Sequence, residues 1–173
     1  MPARIPWTQR RFPFDFPVDV FPELIERLRG TPARVEDRIR SFPEGILTRR
    51  HGEAWSIQEN AGHLVDTEAL FQGRLDDFDA GVATLRGADM SNRKTVDAHH
   101  NDRPIDAILQ DLRRERSAII ARLERLAHGQ FARVAQHPRL QKPMRLVDML
   151  FFHAEHDDYH LARMTELARM LKN

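Results

Sequence analysis

Four long segments of this chain repeat apolar residues at the spacing of one face of an α-helix, and that periodicity limits the folds open to it. The predicted helices cover residues 20–41, 56–83, 104–128 and 145–171. In each segment, leucine, isoleucine, valine or phenylalanine recurs every three or four positions, as a helix with one buried face requires. Strand-like alternation and internal repeats are not found. The pattern predicts an all-α fold, a four-helix bundle.

Local signals mark where these helices begin and bend. Ser56 and Glu59 have the spacing of a capping box, which predicts a helix start there. Thr31 followed by Pro32 predicts an N-cap and a first helical turn, so the first helix is expected to kink or restart at that point. Residues 84–103 show little periodicity and predict a long connection, which could let the third helix run parallel to the second.

The start of the chain differs from the rest in composition. Residues 1–18 are rich in proline and aromatic residues. Proline at this density disfavours a helix, so we expect an extended lead-in whose aromatic side chains pack onto the bundle. The expected domain organisation is a lead-in at 1–18 and one helical domain at 19–173.

Charge and composition argue against several function classes. The chain has 173 residues, with 27 lysines and arginines against 26 acidic residues and a net charge of +1. Because the charges are interspersed, they offer no one-signed patch for nucleic acid. No apolar run is longer than four residues, whereas a membrane span needs about 18. The amino terminus lacks the pattern of a secretory signal. We therefore expect a cytoplasmic protein without nucleic-acid or membrane partners.

Histidines on the apolar face of the last predicted helix are the anomaly of this sequence. The chain has nine histidines and no cysteine, so thiolate ligands and a protein-borne thiol nucleophile are excluded. His153, His156, Asp157 and His160 lie within or beside the apolar stripe of that helix. Buried imidazoles are costly to desolvate unless a partner compensates them. His156 and His160 are one turn apart and could share a metal ion, although such pairs also occur on solvated faces.

A third ligand would have to come from another helix. His63 lies beside the apolar stripe of the second predicted helix, on the same side as Asn60 and Thr67, which are expected to line the site. Taken alone, His63 would be better explained as a histidine at the edge of the core that makes one hydrogen bond. Together, His63, His156 and His160 predict a three-nitrogen site for a divalent metal ion, with positions left open for water or substrate.

Other polar residues on or near these helices each have two possible roles. His153 could be a fourth ligand or a packing residue behind the site. Asp157 could orient a ligand imidazole or pair with a basic residue of a neighbouring helix. Asp66 is expected to point away, and residues 99–101 could line the mouth of the site or form a polar loop. The remaining charged and histidine residues singled out are expected to be solvated: Arg113, Arg114, Glu115, Arg116, His51, His128 and His137.

Two segments of the chain resemble the DinB/YfiT-like superfamily of metal-dependent proteins. They are Trp55–Glu68, with the sequence WSIQENAGHLVDTE, and His156–Met164, with the sequence HDDYHLARM. The resemblance covers the chain from about residue 21 onward. It implies a bundle in up-down-down-up order, a homodimer, and a nickel, zinc or iron ion on His63, His156 and His160. Characterised members use the metal to activate a low-molecular-weight thiol, and others are called hydrolases by analogy.

These observations predict a metal-dependent enzyme that activates a thiol or water against a small-molecule substrate, as a thiol transferase or a hydrolase. Nickel or zinc is the expected ion, with iron as a third choice, and any thiol would be a cosubstrate. No residue stands out as general acid or base. The alternative is a non-catalytic metal-binding stress or interaction protein, for which an exposed set of lead-in aromatics would suit a partner surface: Trp7, Phe12, Phe14 and Phe16. A deep pocket beside the ion would favour the enzyme.

Overall fold

The computed structural model describes residues 4–171 and shows a mostly helical protein. Residues 1–3 of the expected lead-in and 172–173 of the expected helical domain lie outside the described residues. The helices are α1 (Phe21–Arg29), α2 (Thr31–Arg40), α3 (Ile57–Ala80), α4 (Arg93–Asp97), α5 (Ile105–Leu123) and α6 (Leu146–Leu171), and a hairpin is formed by β1 (Val134–His137) and β2 (Lys142–Arg145). Within residues 4–171, no helix is long and apolar enough to cross a bilayer.

The two longest helices, α3 and α6, pack along each other and form the centre of the molecule. Helix α5 packs against α3, and α1 and α2 both contact α5 and α6. The apolar faces predicted from periodicity meet in two clusters, one around Leu28 and Phe71 and the other around Leu64 and Leu112. The prediction of an all-α fold is therefore confirmed in part, since the protein is mostly helical and also contains a two-stranded hairpin. Helix α5 ends at Leu123, earlier than the sequence signals indicate.

The first predicted helix is divided into α1 and α2 at Gly30. This division agrees with the predicted kink or restart. The prediction that Thr31 is an N-cap is wrong, because Gly30 keeps helical dihedral angles of −74° and −15° and Thr31 is already helical. Its hydroxyl makes no cap and instead donates to Oδ2 of Asp157 at 2.8 Å. The residue that looks like a cap therefore joins α2 to α6.

Helix α3 begins where the capping box predicts. The Ser56 hydroxyl accepts from the Glu59 backbone N–H at 3.0 Å, and the Glu59 carboxylate accepts from the Ser56 N–H at 2.8 Å. These two bonds satisfy donors that a helix start otherwise leaves without partners. The helix ends at Gly81, whose φ of 65° closes it in the left-handed conformation that favours glycine.

The hairpin between α5 and α6 corrects the prediction of an all-α fold without strands. Val134 pairs with Arg145, and His137 pairs with Lys142, in antiparallel register. Each strand has four residues, which is too short for alternation to be recognised in the sequence. His137 was expected on the surface, but it is 2% exposed because it closes the hairpin over the core.

The lead-in covers α6 rather than facing solvent. It contains two short 3-10 turns, Trp7–Gln9 and Val18–Val20. The Trp7 ring lies 4.9 Å from the ring of Phe152, and Phe12 is buried, while Phe14 and Phe16 are partly buried against the same core. These rings cover apolar side chains of α6, so they do not form the exposed aromatic surface that would suit the non-catalytic alternative.

The connection at 84–103 is folded over α3. It contains α4 and a 3-10 turn at His100–Asp102. The His100 ring is 1% exposed and lies against the backbone of Gly62, where a Cβ atom would come within 2.2 Å of it. Only glycine fits at that close approach. The connection thereby becomes a wall beside the first turns of α3.

Arg116 departs most clearly from the sequence interpretation. It was expected on a solvated face, yet its side chain is 1% exposed. Its guanidinium donates to the Asp157 carboxylate at 2.7 Å, to the Glu68 carboxylate at 3.0 Å and to the Leu28 carbonyl at 2.9 Å. It also lies 3.0 Å from Nε2 of His153. This set, Arg116 with Glu68, Asp157 and His153, is called the buried charge cluster below.

The sequence position of Arg116 explains its burial. It is four residues after Leu112 and four before Ile120, so it falls inside the apolar stripe of α5. Because residues 113–115 are also charged, the sequence alone makes Arg116 look like part of a solvated face. Two carboxylates and a guanidinium compensate one another out of water, and burial of any one alone would be costly.

Replacing Arg116 by methionine tests the importance of the buried charge cluster. The variant leaves Glu68 and Asp157 buried together without their cation. We expect the free energy of unfolding to fall by about 3–5 kcal/mol, measured by chemical denaturation. The matched control is Arg114→Ala, which removes an exposed ion pair with Asp111 on the same helix and should cost less than about 1 kcal/mol. Equal stabilities of the two variants would contradict this account.

Candidate metal centre

Three histidines from α3 and α6 meet at the wall of a cavity. His63 comes from α3, and His156 and His160 come from successive turns of α6. A nitrogen of each imidazole lies within 4.8 Å of one from each of the others. The ring centroids of His63 and His160 are 4.7 Å apart, and those of His156 and His160 are 4.6 Å apart. The packing of α3 on α6 thus brings together the group that the sequence singled out.

The His160 ring is held in one orientation by Asn60. The Asn60 amide nitrogen donates to the backbone carbonyls of Ser56, at 2.7 Å, and of Trp55. Its oxygen is therefore the atom 2.9 Å from Nδ1 of His160, and it accepts the proton of that nitrogen. With its proton on Nδ1, the neutral ring carries its lone pair on Nε2. This arrangement orients an imidazole as metal sites require.

A similar partner holds His63, and no pattern in the sequence predicts it. Nδ1 of His63 lies 2.9 Å from the hydroxyl of Thr95 on α4. That hydroxyl also hydrogen-bonds Asp66, whose carboxylate is 2.8 Å from Nε2 of His100. Asp66 was expected to point away from the site. It instead contacts Thr95 of α4, a helix that periodicity did not predict, and so belongs to this chain of contacts. The Nε2 atom of His63 has no hydrogen-bond partner within residues 4–171.

Burial makes all three imidazoles weak bases. Desolvation lowers the pKa of His63 to about 4. Desolvation, and then repulsion from the neighbouring imidazoles, holds the pKa values of His156 and His160 well below their usual range. The rings are therefore neutral at pH 7. Neutral imidazole is the form that binds a metal ion, so no proton has to be displaced.

The histidines open onto a cavity of about 1070 Å³. Trp55 lies 4.8 Å from the His63 ring and Trp7 lies 5.1 Å from the His156 ring, so aromatic side chains flank the group. Asn60, Thr67 and His153 also line the cavity, whereas Asp157 does not. Thr67 gives its hydroxyl proton to the Leu64 carbonyl of its own helix at 3.0 Å. Of the four expected pocket residues, Asn60 alone contacts one of the three histidines through a side-chain hydrogen bond recorded for residues 4–171.

A second set of potential ligand atoms lies one turn away. Glu68, His153 and Asp157 have ligand atoms within 4.8 Å of one another. The guanidinium of Arg116 already lies between them, with donors on both carboxylates. His153 stacks on Phe71 at 4.2 Å. Asp157 faces a basic residue of a neighbouring helix rather than a ligand imidazole, and the second set is filled by a side-chain cation.

The family of the chain follows from its sequence. Residues 27–164 match the family model of the DinB superfamily. The chain belongs to the DinB superfamily. The matched region includes His63, His156 and His160, and the resemblance of the two signature segments is confirmed. A search of curated proteins finds no match to this DinB-superfamily chain.

Two solved structures share the DinB-superfamily fold. YfiT from Bacillus subtilis, described as a probable metal-dependent hydrolase with an unusual four-helix bundle topology, gives a TM-score of 0.79 at 19% sequence identity, over 94% of each chain. The mycothiol-dependent maleylpyruvate isomerase gives a TM-score of 0.66 at 10% identity, over 86% of this chain and 60% of that one. At these identities the likeness shows the fold alone.

The close approach of His100 to α3 can be tested with Gly62→Ala. The added Cβ would collide with a buried ring that Asp66 holds, so the ring must move. We expect unfolding free energy to fall by about 1–3 kcal/mol in a denaturant titration, as overpacking does. Gly45→Ala is the control because a Cβ there meets nothing within 4 Å. A Gly62→Ala protein as stable as the control would show that His100 does not lie against this glycine.

Proposed function

We propose that this protein is a metal-dependent enzyme in which His63, His156 and His160 hold one divalent cation. The cavity carries the proposal: three neutral imidazoles converge on one side of a space of about 1070 Å³, large enough for small molecules. Three protein ligands leave coordination positions open, as catalytic sites do and closed structural sites do not. The donors also fit, since imidazole nitrogens suit nickel, zinc and iron. We propose nickel or zinc first.

The residues around the histidines prepare the site for such an ion. Asn60 fixes the ring of His160, and Thr95 faces the ring of His63, so the two lone pairs are preorganised. The rings of Trp7 and Trp55 place apolar surface beside the histidines. When bound, the cation would supply Lewis-acid chemistry by lowering the pKa of a water or thiol that reaches its open positions.

We favour transfer of a thiol to an electrophilic small molecule, with hydrolysis as the second candidate. The chain has no cysteine, so a thiol would have to be a cosubstrate. One structural relative is a mycothiol-dependent isomerase, which supports the first candidate, and the other is a probable metal-dependent hydrolase, which supports the second. The non-catalytic alternative loses its support from the lead-in, because those aromatic rings are packed against the core.

Further expectations from the sequence belong to the same proposal, and of these the helix order and the homodimer rest on the family resemblance. We propose the up-down-down-up order of the bundle helices, a lead-in at 1–18 followed by one domain, a homodimer and a cytoplasmic location. We also propose a small-molecule substrate and no nucleic-acid partner, in keeping with the net charge of +1.

Metal content tests the ligand assignment directly. Protein purified without metal-affinity resin should carry about one divalent ion per chain by elemental analysis, as a single site requires. His63→Ala and His160→Ala should each weaken binding of added Zn²⁺ or Ni²⁺ at least tenfold, about 1.4 kcal/mol. His51→Ala is the control, since His51 is exposed and lies outside the cavity. Equal metal content in all four proteins would overturn the assignment.

Turnover distinguishes the two reactions. Metal-loaded protein should consume a low-molecular-weight thiol in the presence of an electrophile such as an activated aryl halide. The reaction is measured as the decrease in free thiol concentration. Hydrolysis would instead release acid from an ester panel without any thiol. His160→Ala should lose either activity at least tenfold, and His51→Ala should retain it. Absence of metal-dependent turnover in both panels would contradict the enzyme and favour a metal-binding protein without catalysis.

A further inference from the structure

The cavity has a second polar region beside the β1–β2 hairpin, which the histidine group does not use. Arg74 of α3, His137 at the end of β1 and Arg139 in the hairpin turn all line the cavity there. The His137 and Arg139 side chains both pack on Phe152, at 5.2 and 5.8 Å. Arg74 reaches Met149, one turn earlier on α6, at 3.8 Å. The three side chains therefore converge over a single turn of α6.

Arg74 is a buried cation that makes no ion pair with a carboxylate within residues 4–171. It is 4% exposed, and its Nε donates to the Arg86 carbonyl at 3.1 Å. The nearby carboxylate of Asp77 is already bound by the Arg86 guanidinium, at 2.8 Å and 3.0 Å. Burial, with repulsion from Arg139 and Arg86, lowers the pKa of Arg74 to about 10. A guanidinium in this position is normally paired, so the missing partner is notable.

His137 adds a buried donor without an acceptor. Its Nδ1 accepts from the backbone N–H groups of Arg139 and Leu140, at 3.2 and 3.1 Å. The neutral ring must then carry its proton on Nε2. That N–H is buried and has no hydrogen-bond partner within residues 4–171. An unsatisfied buried donor is costly, and such groups commonly mark the place of a ligand.

Arg139 completes the set. Its Nη2 is also buried without a partner within the described part of the chain, while Nη1 donates weakly to the Thr8 carbonyl at 3.4 Å. The acidic residues that line the same cavity have other partners: Asp66 faces His100, Glu166 pairs with Arg163, and Asp89 bonds Ser91. This end of the cavity thus collects positive charge and free donors with no anion of the described chain to meet them.

We propose that Arg74, His137 and Arg139 bind an anionic group, a carboxylate or a phosphate, of the molecule that enters the cavity. Such a group would accept from both guanidinium groups and from the free N–H of His137, and charge-assisted bonds of this kind are the strong ones. The subsite rests on the proposed function for its purpose, because the same molecule would present its reacting atom to the histidine group.

The separation along α6 indicates the length of that molecule. Met149, beneath Arg74, is seven residues before His156, which is about 10 Å along a helix axis. The ligand would therefore be elongated, with its anionic group at the hairpin end and its reactive group near His156. The cavity would therefore bind elongated carboxylic or phosphoric acids more tightly than neutral molecules of the same size.

Calorimetric titration of the full chain with inorganic phosphate and with acetate tests the subsite. Metal-stripped protein should bind at least one of the two anions, and the tighter one identifies the headgroup chemistry. Arg74→Gln, Arg139→Gln and His137→Phe should each weaken binding at least tenfold. Arg163→Gln is the matched control, because this arginine lines the same cavity but already pairs with Glu166 at 2.7 Å. Melting temperatures of all variants report whether each is folded.

The outcomes separate this inference from the proposed function. Anion binding that needs the metal, and that Arg74→Gln leaves unchanged, would overturn the subsite and leave the enzyme proposal intact. An anion bound equally by wild-type and metal-free His63→Ala protein supports the subsite even if no ion is found on the histidines. Equal losses in Arg163→Gln would show general charge attraction and overturn the inference. If Arg74→Gln is unfolded, anion binding by the Arg139→Gln and His137→Phe variants decides whether the subsite exists. Arg139 is only partly buried, so its replacement should be tolerated.

Discussion

One buried guanidinium joins four of the helices, α1, α3, α5 and α6. Arg116 on α5 donates to Glu68 on α3, to Asp157 on α6 and to the Leu28 carbonyl on α1. The Thr31 hydroxyl on α2 completes the set by donating to the same Asp157 carboxylate. Because each carboxylate is out of water, its charge can be accommodated only in this arrangement. Apolar packing supplies most of the stability of such a bundle, but it permits sliding and rotation that these directional bonds do not.

The candidate metal centre depends on that restriction. Asp157 follows His156 directly, and Glu68 is five residues after His63. Fixing the two carboxylates against Arg116 therefore sets the rotation of α3 and α6, and this rotation decides whether His63 faces the pair on α6. The individual rings are then oriented by local partners such as Asn60. The site is thus held at two levels, by the helices and by hydrogen bonds to single imidazoles.

The sequence predicted what periodicity and spacing encode. The long helices, the capping box at Ser56 and the convergence of three histidines follow from residues three, four or seven apart, which share a helix face. It did not predict α4, the hairpin or the burial of Arg116 and His137. Those depend on contacts between distant segments, and a charged residue within an apolar stripe is ambiguous until its partners are known. The connection at 84–103 is an example of what was missed. Thr95 and His100 support the site, but they lie in a segment without a helical pattern.

The position of the Arg116 side chain also limits the number of ions. Glu68, His153 and Asp157 would make an acceptable coordination set, one turn from the histidines. Their oxygens are instead saturated by a cation that is covalently attached, never dissociates, and keeps its charge at every physiological pH. A metal ion could occupy this second set only by displacing Arg116, which also holds α1, α3 and α6 to α5. The proposed chemistry at the histidine group would consequently use a single ion, and the position of Arg116 would exclude the bridged two-ion mechanisms of many phosphatases and nucleases.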